Sequence, residues 1–277
     1  MRYRGIRWSA VLVLVLASLL TFPAFKSEAR AQQSNVTAVM APLVGVLAGA
    51  SFVTLCWINY PGGQGRVYFP GEFFVAGFGG ANIPGNANWD MEFARGETSS
   101  SSVRYSTQVT GGFKVGYFLK SIPYLGAELE TNVATANAGR QNVSLSPAVA
   151  GVSNVTLAQG HITFWTVTGR LLGRYGFLPD NEVPFGRLQP YVGVGPGGQA
   201  MWGPINTKGL RPSLEVEGGV RYILLKNLST FVEYKYSRVF GETLGWKVVT
   251  PNFVYTRAIQ KADLNLHKVV LGVALHF

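Results

Sequence analysis

Sulfur chemistry, charge and long apolar runs are all scarce in this chain. One cysteine, Cys56, excludes an intramolecular disulfide framework and any zinc or iron–sulfur site built from several cysteines. Charged residues fill only 14% of the 277 positions, against about 25% in a soluble domain. Disorder needs low hydrophobicity and much charge, and a coiled coil needs abundant Ala, Glu, Lys and Leu, so both are excluded. What is plentiful is glycine, with 34 residues, and aromatic residues at 13%, in a chain that is 47% hydrophobic. An apolar, glycine-rich body without long apolar runs points to β structure at a membrane. The net charge of +10 falls to +6 once the first 31 residues are set aside, since they hold five basic residues and one acid. The remaining charges stand singly along alternating segments, not clustered on one face, which argues against a nucleic-acid partner.

The N-terminus reads as an export signal. Arg2, Arg4 and Arg7 precede the apolar stretch Ala10 to Leu20, and Ala29-Arg30-Ala31 offers a cleavage site with Gln32 as the mature start. That apolar stretch is short of the ~20 residues a membrane helix needs, so residues 1–31 are expected to be a removed signal peptide. Residues 32–70 follow as a charge-poor segment, and Gln32 to Gly65 carries no charge at all. Thr37 to Asn59 is long enough to span a bilayer, yet Pro42, Gly45, Gly49 and Ser51 make its insertion marginal. A spanning helix and a segment resting against the following domain both remain open. Leu55 stands where a lipoprotein site before Cys56 requires a small residue, which excludes lipidation.

From Gly71 onward the hydrophobic period is two. The clearest strand is Val103–Phe118, with Val103, Tyr105, Val109, Phe113, Val115 and Tyr117 on one face and Arg104, Gln108 and Lys114 on the other. Its sixteen residues exceed the usual strand of ~5–6 about threefold. Further segments fall near Glu72–Gly80, Tyr124–Val133, His161–Phe177, Leu188–Gly195, Ser213–Ile223, Thr230–Val239 and Leu264–Phe277. Together they make eight. Long connections at 81–102, 134–160, 196–212 and 240–263 alternate with short ones at 119–123, 178–187 and 224–229, as in transmembrane barrels. Pro196 cannot donate to a ladder, so the fifth strand is expected to stop or bulge there.

The strand faces give the candidate site. Arg104, Lys114, Glu128, Glu130, Arg170, Arg174, Glu215, Glu217, Arg221, Glu233, Lys235 and Lys268 share the polar parity of their strands, opposite apolar positions such as Leu214, Val216 and Val232. In a barrel the apolar face meets lipid and these charges neutralise one another inside. Eight strands leave an interior just wide enough for side chains to fill, so a salt-bridged plug is expected instead of an open pore. Tyr117, Tyr124, Tyr175, Phe177, Tyr222, Phe231 and Phe277 lie near the short turns, where an aromatic girdle belongs.

Residues 71–277 resemble the OmpA-type, porin-like outer-membrane β-barrel superfamily of Gram-negative bacteria, which includes surface antigens and opacity-type proteins. The resemblance rests on Phe73-Phe74-Val75-Ala76-Gly77-Phe78-Gly79-Gly80, Pro190-Tyr191-Val192-Gly193-Val194-Gly195, Phe231-Val232-Glu233-Tyr234 and the stretch from Leu271-Gly272 to Phe277. It implies an all-β, eight-stranded antiparallel up-and-down transmembrane β-barrel in the bacterial cell outer membrane, in contact with outer-membrane lipid and lipopolysaccharide. Gly272, Leu275 and Phe277 match the family's C-terminal insertion signal, read by the barrel assembly machinery, although Val270 stands where that signal prefers a polar residue.

Motifs that carry chemistry are few. Gly193-Val194-Gly195-Pro196-Gly197-Gly198 satisfies G-x-G-x-x-G, but Pro196 and the residues after it offer no helix N-terminus for a dinucleotide. His161, His267 and His276 are isolated, without the cysteines or paired spacing of a metal site. A lipid A deacylase, a family the layout also resembles, carries a His-x-Ser pair on a late strand; here Lys235 and Ser237 occupy those places. A lumenal lysine paired to a glutamate would not activate the serine. The expectation is therefore a non-enzymatic barrel without metal or cofactor, serving a structural, surface-interaction or limited small-solute role. A lipid A-modifying enzyme is the alternative, and no external ligand can be named from the sequence.

Overall fold

A computed structural model describes residues 71–92, 98–149, 152–202, 210–249 and 254–277. The expected signal peptide and the segment 32–70 lie outside the described residues. Twelve strands form: β1 (Glu72–Pro84), β2 (Ala87–Glu92), β3 (Thr98–Val103), β4 (Gln108–Phe118), β5 (Leu125–Ala138), β6 (Gln141–Val149), β7 (Val152–Leu157), β8 (Gly160–Arg174), β9 (Leu188–Trp202), β10 (Leu210–Leu225), β11 (Leu228–Val249) and β12 (Val254–His276). Eight of them close a ring of antiparallel pairs. β1 pairs β4, then β5, β8, β9, β10, β11 and β12 follow in turn, and β12 returns to β1. The closing seam runs in unbroken register from Phe74↔His276 to Pro84↔Leu266. Closure leaves this ring without an edge strand, which removes the unpaired backbone groups that invite aggregation.

Among the described residues, the long connections expected at 81–102, 134–160, 196–212 and 240–263 are not plain loops. Most of their length is strand, continuing the wall beyond the short-turn half. β2 and β3 rise from β1 and β4, and β6 and β7 rise from β5 and β8. Pairings of β12 with β2, β3 with β6 and β7 with β11 close a second, narrower ring of six strands with the tops of β11 and β12. The segment 196–212 likewise belongs largely to β9 and β10.

Two sequence expectations change for a physical reason. Residues 103–118 are not one strand with one outward face, because β3 ends at Val103 and β4 starts at Gln108. In β4 Thr110 pairs Ala134, so an unbroken ladder would join Ser106 to Ala138; Ser106 instead bridges Asn137. A slip of one residue turns every side chain to the opposite face. Val103 and Tyr105 accordingly pack into the interior, while Val109 points outward. Nor does Pro196 stop or bulge its strand. It keeps register with Leu214 of β10, and on the β8 side the ladder merely skips between Thr168↔Gly197 and Leu171↔Val194, where the proline has no N–H to give.

The interior is layered. From the short-turn end, the inward residues of β5 read Gly126, Glu128, Glu130, Asn132, Ala134, Ala136 and Ala138. Those of β11 read Ser229, Phe231, Glu233, Lys235, Ser237 and Val239, all buried. β11 thus passes from a hydroxyl through an aromatic layer and a charged layer to a second hydroxyl and an apolar residue, and β5 from the charged layer through an amide to apolar alanines. The aromatic layer holds Phe74, Phe118 and Phe231. Glycines make room for it, since a Cβ on Gly116 would strike the Phe74 ring and one on Gly272 the Phe231 ring. The apolar core at the far end is built around Trp89, Val103, Leu145, Leu157, Phe164 and Leu264.

Candidate functional site

The wall of the eight-stranded ring is apolar outside, with Leu171 71%, Val192 64% and Leu271 62% exposed. An apolar belt of this extent has to be covered by lipid or protein. The inside is the reverse. Alternation forces Lys114, Glu128, Glu130, Arg170, Glu215, Glu217, Glu233, Lys235 and Lys268 inward from β4, β5, β8, β10, β11 and β12, and each is at most 4% exposed.

Arg170 sits at the hub. One guanidinium nitrogen donates to Glu128 Oε1 at 2.7 Å and Glu130 Oε2 at 2.9 Å and lies 3.2 Å from Glu217 Oε2, and the other donates to Glu215. Lys114 joins Glu233 and approaches Glu128 Oε2 at 3.1 Å; Lys235 joins Glu130 and approaches Glu233 Oε2 at 3.2 Å. Lys268 lies 3.4 Å from Glu215 and donates to Asn132 Oδ1 at 3.1 Å. Neutral partners complete the shell: Thr168 donates to Glu215 at 2.9 Å, Asn132 to Glu130 at 3.0 Å, and Tyr191 to Glu233. Below the charges, Lys114 lies 4.9 Å from the Phe231 ring centroid, and Lys235 lies 4.0 Å from that of Phe78, so the aromatic layer also supports cations. Glycines of the G-x-G-x-x-G stretch serve this packing: a Cβ on Gly193 would come within 2.9 Å of Glu217 Cγ.

Arg174 and Arg221 are inward as expected but belong to a second cluster at the short-turn mouth. Glu72 Oε2 meets Arg174 at 2.6 Å, and Glu72 Oε1 lies 2.8 Å from His276 Nδ1 and 4.0 Å from Arg221. His276 Nε2 is 2.7 Å from Ser229 Oγ. A carboxylate can only accept, so Nδ1 carries the hydrogen, and in the neutral ring Nε2 accepts from the serine hydroxyl. Arg174 also stacks on Phe118, 3.6 Å from its centroid, and Arg221 lies 4.4 Å from that of Phe74. The turn 178–187 folds beside this mouth, with Phe185 against Arg174 and Gly186 accepting from Gln189 at 2.9 Å.

Of the expected charge network, Arg104 alone falls outside. It is exposed between β3 and β4, because the register slip there takes it out of the lumenal parity. Phe231 is likewise no part of an outer girdle; it shares parity with Glu233 and is buried in the lumen. Tyr124, Tyr175, Phe177 and Tyr222 do lie exposed at the short-turn end. Gly272 and Leu275 lie buried on β12, and the Phe277 ring packs at 6.0 Å from Phe73 across the seam. Glu72, Ser229 and His276 were missed. His276 has the parity of Lys268 and could have been found, whereas β1 reads apolar on both faces and hides Glu72.

A ring without edges, apolar outside and charged within, defines a transmembrane β-barrel. The chain belongs to the family described as outer membrane protein beta-barrel domain, which matches residues 64–277, and it is a protein of the bacterial outer membrane. No curated protein matches the chain. Among solved structures it is similar to OprG of Pseudomonas aeruginosa, at 14% identity and a TM-score of 0.47, covering 75% of this chain and 96% of that one. Neisserial surface protein A is similar at 12% identity and 0.39, covering 74% and 97%. Ail, the attachment invasion locus protein of Yersinia pestis, is similar at 13% and 0.36, covering 75% and 99%.

Proposed function

We propose that the protein is a closed, non-conducting barrel that presents its six-stranded extension outside the cell as a surface-interaction element. The observation that carries this is the filled lumen: Lys114, Lys235 and Lys268 have no exposed surface, and a layer of buried hydroxyls and amides and then an apolar core lie above them. Short turns face the periplasm in such barrels and long excursions the exterior, so the extension is external and residues 1–31 serve export. At about 3.4 Å per residue, the 22 residues of β11 exceed the ~10 that one crossing needs. Lipopolysaccharide surrounds the wall, and loop-borne recognition sits on a rigid scaffold.

In planar bilayers the purified protein is expected to give no discrete conductance steps. Deletion of the β2–β3 and β6–β7 hairpins should abolish cell-surface binding while the unheated protein still runs fast on gels. Regular steps in the wild type would overturn the closed-barrel assignment. An acyl-transfer role draws on one observation, the Ser229–His276–Glu72 order, which matches the relay of serine hydrolases. Ser229 has no exposed surface, and Lys235 is committed to glutamates. The relay therefore favours a clasp across the closing seam, and unchanged lipid A acylation on expression is the expected result.

A further inference from the structure

The outer wall is not equally bare all round. Outward residues of β8 to β11 such as Leu171, Val192, Val216 and Val232 are 43–71% exposed. On the opposite side of the ring the same parity gives a different result. Val75 of β1 alternates with the lumenal Phe74 and Ala76, and its register partner Leu275 alternates with Ala274 and His276, so both point outward. Yet Val75 is 3% and Leu275 2% exposed. The cover extends over β4, where the outward Phe113, Val115 and Tyr117 are half-buried and Gly111 is buried. Beside them the outward face of β1 is nearly smooth, with Gly77, Gly79 and Ala81 in succession. The Phe73 and Phe277 rings, 6.0 Å apart, close only the lower edge of this patch. The described residues form a single wall of strands, with no helix or second sheet over it. The cover therefore comes from chain outside them.

We propose that the uncharged segment Thr37–Asn59 lies against this patch, across the seam where β12 closes on β1. Position selects it. The patch is in the short-turn half, and β1 begins there at Glu72, so residues 60–70 tether the segment at the foot of the patch. Those eleven residues reach at most about 36 Å. The other stretches outside the description, 93–97, 150–151, 203–209 and 250–253, belong to the opposite end of the wall. Chemistry selects it too. A chain lying between the wall and lipid is penalised for every charge, and Gln32 to Gly65 carries none. Lipid tails are as apolar as the segment, so close packing has to hold it there. Ala41, Gly45 and Gly49 recur every fourth residue, the spacing of a close-packing helix face, which matches the smooth face of β1. The segment then clamps the closing seam from outside, whatever the external extension contacts, so failure of the surface-interaction reading leaves it standing.

Cys56, the sole cysteine, lies within the segment and supplies the test. Val115→Cys and Val273→Cys, whose positions flank β1, are compared with Val192→Cys and Val216→Cys on the far wall. Each mature full-length chain is folded in lipid vesicles, checked for fast unheated migration on gels, and treated with a short bismaleimide that joins the new thiol to Cys56. Cross-linking within one chain is expected for the first two variants and not for the last two. Deletion of residues 37–59 should leave a closed barrel with a lower urea midpoint, because the seam loses its clamp. The assignment is overturned by cross-linking that is equal at all four positions, absent from all four or stronger on the far wall. It is equally overturned by cross-linked dimers, which would make a second copy the cover, or by a deletion midpoint equal to that of the full chain.

Discussion

Arg170→Met strikes the hub of the lumenal plug. The guanidinium engages Glu128, Glu130, Glu215 and Glu217, while methionine keeps much of the stem and removes the charge. Summing four ion pairs would overstate the loss, because neighbours sharing a network are not additive. After the substitution Glu215 still has Thr168 and Lys268, Glu128 still has Lys114, and Glu130 still has Lys235 and Asn132. One net buried negative charge is left uncompensated, at a cost of about 3–5 kcal/mol for breaking a buried pair. With a urea dependence of about 2 kcal/mol/M, the unfolding midpoint should fall by about 2 M with the slope unchanged. Tryptophan fluorescence in lipid vesicles reads the midpoint, and the fraction of fast-running unheated protein reads barrel closure. Arg170→Lys should fall between, since it restores charge but not the fork that reaches four acids. A midpoint drop below about 0.5 M for Arg170→Met would refute the hub assignment, because that corresponds to only about 1 kcal/mol.

Gly272→Val should destabilise the barrel by about 1–3 kcal/mol through overpacking, since its side chain would enter the Phe231 ring, and a normal urea midpoint would contradict the packing. Ser229→Ala removes the hydroxyl bonded to His276 and should cost about 1 kcal/mol without altering lipid A, measured by the same unfolding and by mass spectrometry of the lipid. In the turn, Asp180 is held below the usual carboxylate range by its hydrogen bonds to Arg187 and the Val183 N–H. Its contribution is therefore complete above the ordinary carboxylate range and fades only as pH falls through the lowered value. The Val183 amide resonance should move at correspondingly low pH, and Asp180→Asn should abolish the step. Pro196→Val supplies the N–H that the β8 side lacks and should slow amide exchange around Gly169; unchanged exchange would show that the gap has another cause.

Seven of the eight barrel strands keep a period of two for long enough to fix both their existence and their inward face, whereas β1 is apolar on both faces and shows only its existence. Eleven of the twelve expected lumenal charges follow from that parity alone. The parity fails where register slips, and no local signal marks the slip at Ser106: Arg104 looks like Lys114 to any alternation count. The extension was hidden for another reason. Its strands are short and serine-rich, as in Thr98–Val103, and their pairing is decided by distant partners such as Ser146 with Ser100. The split of the charges into a hub and a mouth cluster was also out of reach, since it depends on cross-barrel distances. Glu72 became visible only once closure placed the first strand beside the last.

The slip also explains how one wall serves two solvents. In the lower half the interior is polar and the exterior apolar, with Glu130 inward and Leu129 outward on β5. In the extension the order reverses. Trp89, Val103, Val143 and Leu145 are buried, while Asn88, Ser100, Ser102, Asn142 and Ser144 are exposed, and three of these bond across the strands, Ser100 with Asp90 at 2.7 Å, Ser144 with Asn154 at 3.1 Å and Asn142 with Thr156 at 2.7 Å. A chain that leaves lipid for water has to exchange its faces, because the apolar side must always turn away from water. Within one unbroken ladder the exchange can come from residue choice alone, as where β5 passes from Glu130 to Ala134 on its inner face. Between β4 and β3 it is accompanied by the slip, which carries Val103 and Tyr105 inward. With the extension external, as proposed above, the level of Ser106 and Asn137 is where the wall would pass from lipid to water.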